Sequence, residues 1–240
     1  LLRYNFHQTK ADLFVPAGGR PKTLNEANIT DYLDEMGIAT SKAIVEGANL
    51  YLTPAARRYL EERGVLIIKD SSANKGGVIC SSFEVLCGLT LNEEIFLQKK
   101  PLLVKEILER VRLCSANEAE LLLNTHRQTG RYLTDLSDEI SLRINQYTYQ
   151  ILDYLENLSL SAVKDGALIE SFLNYCLPFL KEAFKKELLN EIPDHHKKAM
   201  IACYLGAYMV YSKGLDWSPS IIDILPLTLQ EITDKNNENY

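Results

Sequence analysis

The sequence predicts an α/β fold in two parts: half of a doubly wound parallel sheet over residues 1–90, then a mainly helical region over residues 91–240. Short apolar runs at Leu13–Val15, Ala43–Val45 and Val65–Ile68 alternate with helical patterns, as in parallel strands joined by crossovers. The central stretch Lys42–Gly88 reads as strand, helix and strand, then a glycine pair, Gly76 and Gly77, that opens another helix. From Leu91 onward glycine and proline thin out and leucines recur at helical spacing.

Each element has a local reason. Leu13–Val15 is a short strand stopped by Pro16. Asn25–Gly37 reads as a helix, with Ala27, Ile29, Tyr32, Leu33 and Met36 at approximately helical spacing and Gly37 as its stop. Between the second and third strands, Thr53 as N-cap and Pro54 at the first helical position start a helix that Gly64 closes. Half a sheet leaves an edge strand open to pairing. Ligands in such sheets bind outside the carboxyl ends of the strands, which is where Gly47, Ala48, Asn49 and the stretch Asp70–Gly77 fall.

In the second part, Pro101–Leu113 carries apolar residues at 103, 104, 107, 108 and 111. Further helices are expected at Asn117–Leu123, Leu133–Leu158, Ala167–Leu189 and Asp194–Lys213. Their separators are Thr129-Gly130, Lys164-Asp165-Gly166, Pro193 and Lys213-Gly214. Leu215–Leu229, with Trp217, is expected to dock onto these helices, and the polar Asp234–Tyr240 to be disordered.

Composition narrows the function classes. A net charge of −6 argues against a nucleic-acid surface, and the basic pairs Arg57-Arg58 and Lys197-Lys198 read as solvated helix faces. The five cysteines are odd in number and widely spaced, with no C-x-x-C, so a reducing, cytoplasmic setting is the default and no metal site is expected. The most apolar segment, Ala199–Val210, is too short to span a bilayer and reads as a buried helix.

Three blocks in order carry a resemblance: PAGGRP (Pro16–Pro21) after a strand, EGAN (Glu46–Asn49) followed by TPAA (Thr53–Ala56), and NKGGVICSSFE (Asn74–Glu84) after the next strand. Together they resemble the distal half of the Rossmann-like nucleotide-binding domain of the glutamate dehydrogenases, with a close match to the large NAD-specific class. The motifs cover roughly the first 90 to 95 residues. The resemblance implies oxidative deamination of L-glutamate to 2-oxoglutarate and ammonia with NAD as cofactor, in a homo-oligomer without nucleic-acid or membrane partners. The family's glycine-rich phosphate loop, its substrate and catalytic lysines and its catalytic aspartate precede these blocks, and none occurs among the 240 residues. The sequence is therefore expected to be a C-terminal piece of a longer polypeptide, inactive alone and without a catalytic residue of its own. The alternative is a non-catalytic helical oligomerisation or regulatory module with an incomplete nucleotide fold.

The resemblance assigns roles residue by residue. Asn74 matches the asparagine at the nicotinamide end of the cofactor. Its side chain offers the donor and acceptor that complement a carboxamide, although a capping asparagine is the plain alternative. Asn49 matches the residue that meets the nicotinamide ribose, and Ala17 and Gly18 match the small residues beneath the adenosine portion. Ser81 falls on the serine whose hydroxyl binds the glutamate side-chain carboxylate, with Gly77 and Val78 shaping the substrate wall. An anion near the start of a helix is physically favoured, but without the family match Ser81 or Ser82 reads as an ordinary helix serine. Asp70 is expected to hydrogen-bond the loop and Lys75 to face solvent.

Overall fold

The structure is a computed structural model that describes residues 9–156, 158–160, 166–217 and 220–238. Contacts divide it into two compact units. One takes the described residues up to Gly77 together with Ser115–Asp138, and the other takes Val78–Cys114 and the described residues from Glu139 on.

The first unit is built on a three-stranded sheet in the order β1 (Ala11–Phe14), β2 (Ser41–Val45), β3 (Leu66–Ile68), parallel throughout. Leu13 pairs with Ala43 and Val45 with Ile68, so the three predicted strands are present and their carboxyl ends share one edge. Ile44 and Ile67 are fully buried, whereas Leu13 on the outer strand is 50% exposed, as an edge position would be. Helix α1 (Pro54–Glu61) begins where predicted: the Thr53 hydroxyl accepts the Ala56 N–H at 3.2 Å and Pro54 sits in the first turn. Gly64, at φ +83°, ends it by turning the chain so that the Val65 N–H reaches back to the Leu60 carbonyl at 3.1 Å. Around the sheet pack Leu24, Ile29, Tyr32, Leu52, Leu60 and Val65.

The expected helix Asn25–Gly37 does not form; only a 3₁₀ turn, Ile29–Tyr32, stands there. Its polar side chains capture the backbone instead. Asn25 Oδ1 accepts the Ala27 N–H, Asn28 Oδ1 accepts the Asn25 N–H, and Asp34 Oδ1 accepts from Met36 and Ile38 at 3.0 Å each. Such short side-chain loops compete with the helical ladder and win when packing does not oppose them.

The other helices are α2 (Asp70–Ala73), α3 (Gly76–Thr90), α4 (Glu93–Thr129), α5 (Leu133–Glu156), α6 (Gly166–Tyr175), α7 (Pro178–Ala183), α8 (Lys185–Asn190), α9 (Asp194–Lys213) and α10 (Ile221–Glu238). Pro101–Leu113 and Asn117–Leu123 are not separate helices but parts of α4, which runs through Pro101 and ends, as predicted, at Gly130. Ala167–Leu189 is three helices rather than one. Pro178 holds Leu177 extended at ψ 144° and breaks the run, and Phe184 leaves helical geometry again. Asp234–Glu238 belongs to α10 instead of a disordered tail, while the last two residues lie outside the described range.

In the second unit α6 packs against α9 and α10. Its buried side chains include Phe83, Leu155, Phe172, Leu180, Leu205 and Met209. Ala199–Val210 lies within α9, whose Ile201, Ala202, Leu205, Gly206, Met209 and Val210 are buried. Leu215 is buried and the Tyr147 hydroxyl donates to the Trp217 carbonyl at 3.2 Å, so this part of the final segment does dock. Lys197, expected on a solvated face, is buried and pairs with Asp194 at 2.9 Å. No helix among the described residues is long and apolar enough to cross a membrane.

The approach of α9 to α5 is close at Gly206. A Cβ there would stand 2.7 Å from Thr148 Oγ1 and 3.1 Å from the Ile144 carbonyl. Gly206→Val is expected to push the two helices apart at about 1–3 kcal/mol, read as a lower midpoint in denaturant unfolding.

Candidate functional site

Because all three strands are parallel, the loops after β1, β2 and β3 leave from the same edge of the sheet. The first two touch. The Ala48 N–H donates to the Pro16 carbonyl at 2.7 Å, and a Cβ on Gly47 would stand 3.2 Å from that same oxygen, so a side chain at 47 would press on the strand-end loop. Ala17 and Gly18 follow Pro16 in this loop and are exposed, with open space beside Gly18. The second and third loops meet through the two predicted asparagines: Asn74 Nδ2 donates to Asn49 Oδ1. Asn74 ends α2, where its N–H donates to the Asp70 carbonyl at 2.9 Å. Among the described residues no hydrogen bond occupies Asn74 Oδ1 or Asn49 Nδ2, an acceptor and a donor that a ligand could use.

Beneath these loops lies a buried charged cluster. Glu46, fully buried, accepts from Arg57 Nε at 2.7 Å and from Nη2 at 3.2 Å, and its Oε1 also accepts the Leu52 N–H at 3.0 Å. Arg57 Nη2 donates in turn to Asp70 Oδ1 at 3.0 Å, while Asp70 Oδ2 accepts the Leu50 N–H at 2.8 Å. Asp70 is thus the loop hydrogen-bonding residue predicted for it. Arg57 contradicts the expectation of a solvated face: it is 5% exposed. Helical spacing contained the signal, since Arg57 shares the inward face of α1 with Ala56, Leu60 and Glu61. Its neighbour Arg58 does reach outward, to Asp135 at 2.6 Å.

Lys75 does not simply face solvent. Its ammonium donates to both oxygens of the buried Glu118 on α4 at 2.7 Å, and the Ser72 hydroxyl donates to Glu118 Oε1 at 2.6 Å. Ser137 on α5 bonds the Ser72 hydroxyl at 2.5 Å, and Lys69 pairs with Asp138 at the same distance. The α2 loop that carries Asn74 is therefore anchored on two helices more than forty residues away in sequence. No local pattern could have announced Glu118 or Ser137, because their partners are non-local.

The substrate candidates sit at the start of α3. Gly77 and Val78 are exposed, Val78 by 75%. Within the second unit the adjacent serines differ. Ser82 is committed, donating to the Ile79 carbonyl at 2.8 Å and accepting from the Tyr175 hydroxyl at 3.0 Å. Ser81 is exposed, and among the described residues no hydrogen bond occupies its hydroxyl. Of the two, only Ser81 is free to meet a ligand.

Other reactive groups are not poised for chemistry. Burial pushes the Cys87 thiol up to about 11, helped by the carboxylates of Glu106 and Glu84, and the Cys176 thiol up to about 12. Neither is a nucleophile near neutral pH. Cys80, Cys87, Cys176 and Cys203 are free thiols, and among the described residues no cluster of histidine, cysteine and carboxylate side chains could hold a metal ion.

The comparisons with known proteins agree on one relationship. The profile of the glutamate/leucine/phenylalanine/valine dehydrogenases matches residues 3–123. The "NAD-specific glutamate dehydrogenase" of Saccharomyces cerevisiae is 33% identical over 222 residues, covering 85% of this chain and 20% of the yeast protein. "Glutamate dehydrogenase 2" of Dictyostelium discoideum is 32% identical over 232 residues, or 90% of this chain and 22% of that protein. The "NADP(+)-dependent glutamate dehydrogenase" of Pyrobaculum calidifontis is 49% identical over only 51 residues, 21% of this chain and 12% of its own. No solved structure matches the chain. The chain spans about a fifth of the length of the two eukaryotic relatives. Their similarity takes in most of the helical region as well, well past the first 90 to 95 residues that hold the motifs. With the family profile matching half of its length, across the sheet, its loops and the α4 anchor of Lys75, the chain belongs to the glutamate/leucine/phenylalanine/valine dehydrogenase family.

Proposed function

We propose that this chain forms part of an NAD-dependent glutamate dehydrogenase that deaminates L-glutamate oxidatively to 2-oxoglutarate and ammonia. In this reading the chain supplies the distal half of a doubly wound nucleotide-binding sheet, and the helical region supports a cytoplasmic homo-oligomer. The observation that carries the reading is the Asn49–Asn74 pair at the carboxyl edge of a parallel sheet. Its acceptor and donor fit a nicotinamide carboxamide and the adjoining ribose, and Ala17, Gly18 and Gly47 leave the strand ends slim enough for a cofactor to approach. The names of the relatives favour NAD and glutamate.

NAD, when bound, accepts the hydride from the substrate α-carbon. The residues of this chain orient: Asn74 holds the nicotinamide end, Asn49 the ribose, and the Ser81 hydroxyl binds the side-chain carboxylate of glutamate. The family also contains enzymes for leucine, phenylalanine and valine. A hydroxyl such as that of Ser81 favours glutamate among them, because an apolar pocket has no use for a carboxylate-binding group.

Asn74→Ala in the full-length protein is expected to weaken NADH binding about tenfold, the worth of one or two hydrogen bonds. Fluorescence titration with NADH measures it, and unchanged affinity would remove the cofactor role.

A further inference from the structure

We propose that Arg57 is the positioning residue of the cofactor loop, acting through Glu46 and Asp70 on the backbone that carries Asn49. The proposal rests on the reading of Asn49 and Asn74 as cofactor contacts. Leu50, next to Asn49, stands at φ +52°, a left-handed conformation that a non-glycine residue keeps only where its surroundings impose it. Three hydrogen bonds impose it here. Asp70 Oδ2 accepts the Leu50 N–H at 2.8 Å, the Lys22 N–H donates to the Leu50 carbonyl at 2.7 Å, and Glu46 Oε1 accepts the Leu52 N–H at 3.0 Å. Two of these three acceptors are carboxylates gripped by the Arg57 guanidinium.

That grip has a consequence for both asparagines. Glu46 directly follows the second strand, just before Gly47, and Asp70 opens the short helix that Asn74 closes. One guanidinium thereby fixes the distance between the loop of Asn49 and the loop of Asn74. Arginine suits the task because its planar fork donates to two acceptors in fixed directions, which a lysine ammonium on its flexible stem does not. Without the cation two buried carboxylates face each other. Their repulsion then drives them apart, and the Leu50 N–H loses its hold.

A side chain that served stability alone would affect cofactor and substrate binding together, whereas a positioning residue separates them. In the full-length protein Arg57→Ala is expected to raise the Kd for NADH by about tenfold or more while the KM for 2-oxoglutarate stays within about threefold. Arg57→Lys should fall between Arg57→Ala and wild type, since a single point charge reaches one carboxylate but does not span both. Should Arg57→Ala fail to fold, Asp70→Asn carries the same test: it keeps the shape of the side chain but loses the charge that holds both Arg57 and the Leu50 N–H. An NADH Kd within about twofold of wild type in the folded variant, or a parallel rise in Kd and KM, would overturn the proposal. Wild-type protein that does not bind NADH at all would instead overturn the reading beneath it.

Discussion

If the proposed function holds, Ser81→Ala in the full-length protein is expected to lower kcat/KM for glutamate by about 10- to 100-fold while changing that for norvaline by less than about twofold. The expectation follows from chemistry at a single atom. A hydroxyl that donates to a carboxylate makes a charge-assisted hydrogen bond, worth about 1.5–3 kcal/mol when its partner is ionised. Norvaline has a similar chain length and no side-chain carboxylate, so it gains nothing from the hydroxyl. Ser82→Ala is the internal control. Its hydroxyl is already spent on Ile79 and Tyr175, so its loss should disturb the packing of α3 and leave the preference for glutamate in place. Steady-state rates with both amino acids decide the matter, and an unchanged preference in Ser81→Ala would remove the substrate role assigned to it.

Glu46→Ala is expected to destabilise the first unit by about 3–5 kcal/mol, the range for breaking a buried ion pair from one side. Glu46 is fully buried and accepts three hydrogen bonds, two from Arg57 and one from the Leu52 backbone. Alanine removes both acceptor oxygens and so all three bonds, leaves the Leu52 N–H unsatisfied and opens a space behind the sheet. Glu46→Gln keeps the shape and one acceptor and should cost less. Hydrogen exchange is the suitable measurement, with protection lost first at Leu50 and Leu52 and retained longest in the central strand around Ile44.

The parts of this architecture that were legible in the sequence are those with local causes. The three strands and α1 were readable because apolar runs, Thr53, Pro54 and Gly64 each act within a few residues. The two asparagines were readable as candidates because the family motifs match them and both fall in loops after strands that share an edge, and the structure brings them into contact. The expected helix Asn25–Gly37 failed on the same local level. Its apolar spacing is helical, but the Asn25, Asn28 and Asp34 side chains offered the backbone nearer partners than the helical ladder did. Arg57 was misread because charge was weighed above periodicity: its position on α1 faces inward whatever the residue. Glu118 and Ser137 were out of reach, since they matter only through partners brought near by the fold. Ser81 was distinguished from Ser82 in the sequence only by the family motif. The structure adds a physical difference, one hydroxyl committed and the other open.

The central claim is that these loops serve a glutamate dehydrogenase using NAD. Its most direct test is the rate of NADH oxidation by the purified full-length protein with ammonium and either 2-oxoglutarate or 2-oxovalerate. Oxidation that requires 2-oxoglutarate and ammonium together, and runs at least about 100-fold less efficiently with 2-oxovalerate, is the predicted result for a site that binds the side-chain carboxylate. Equal use of the two oxo acids, or no oxidation of NADH with 2-oxoglutarate, would contradict the account.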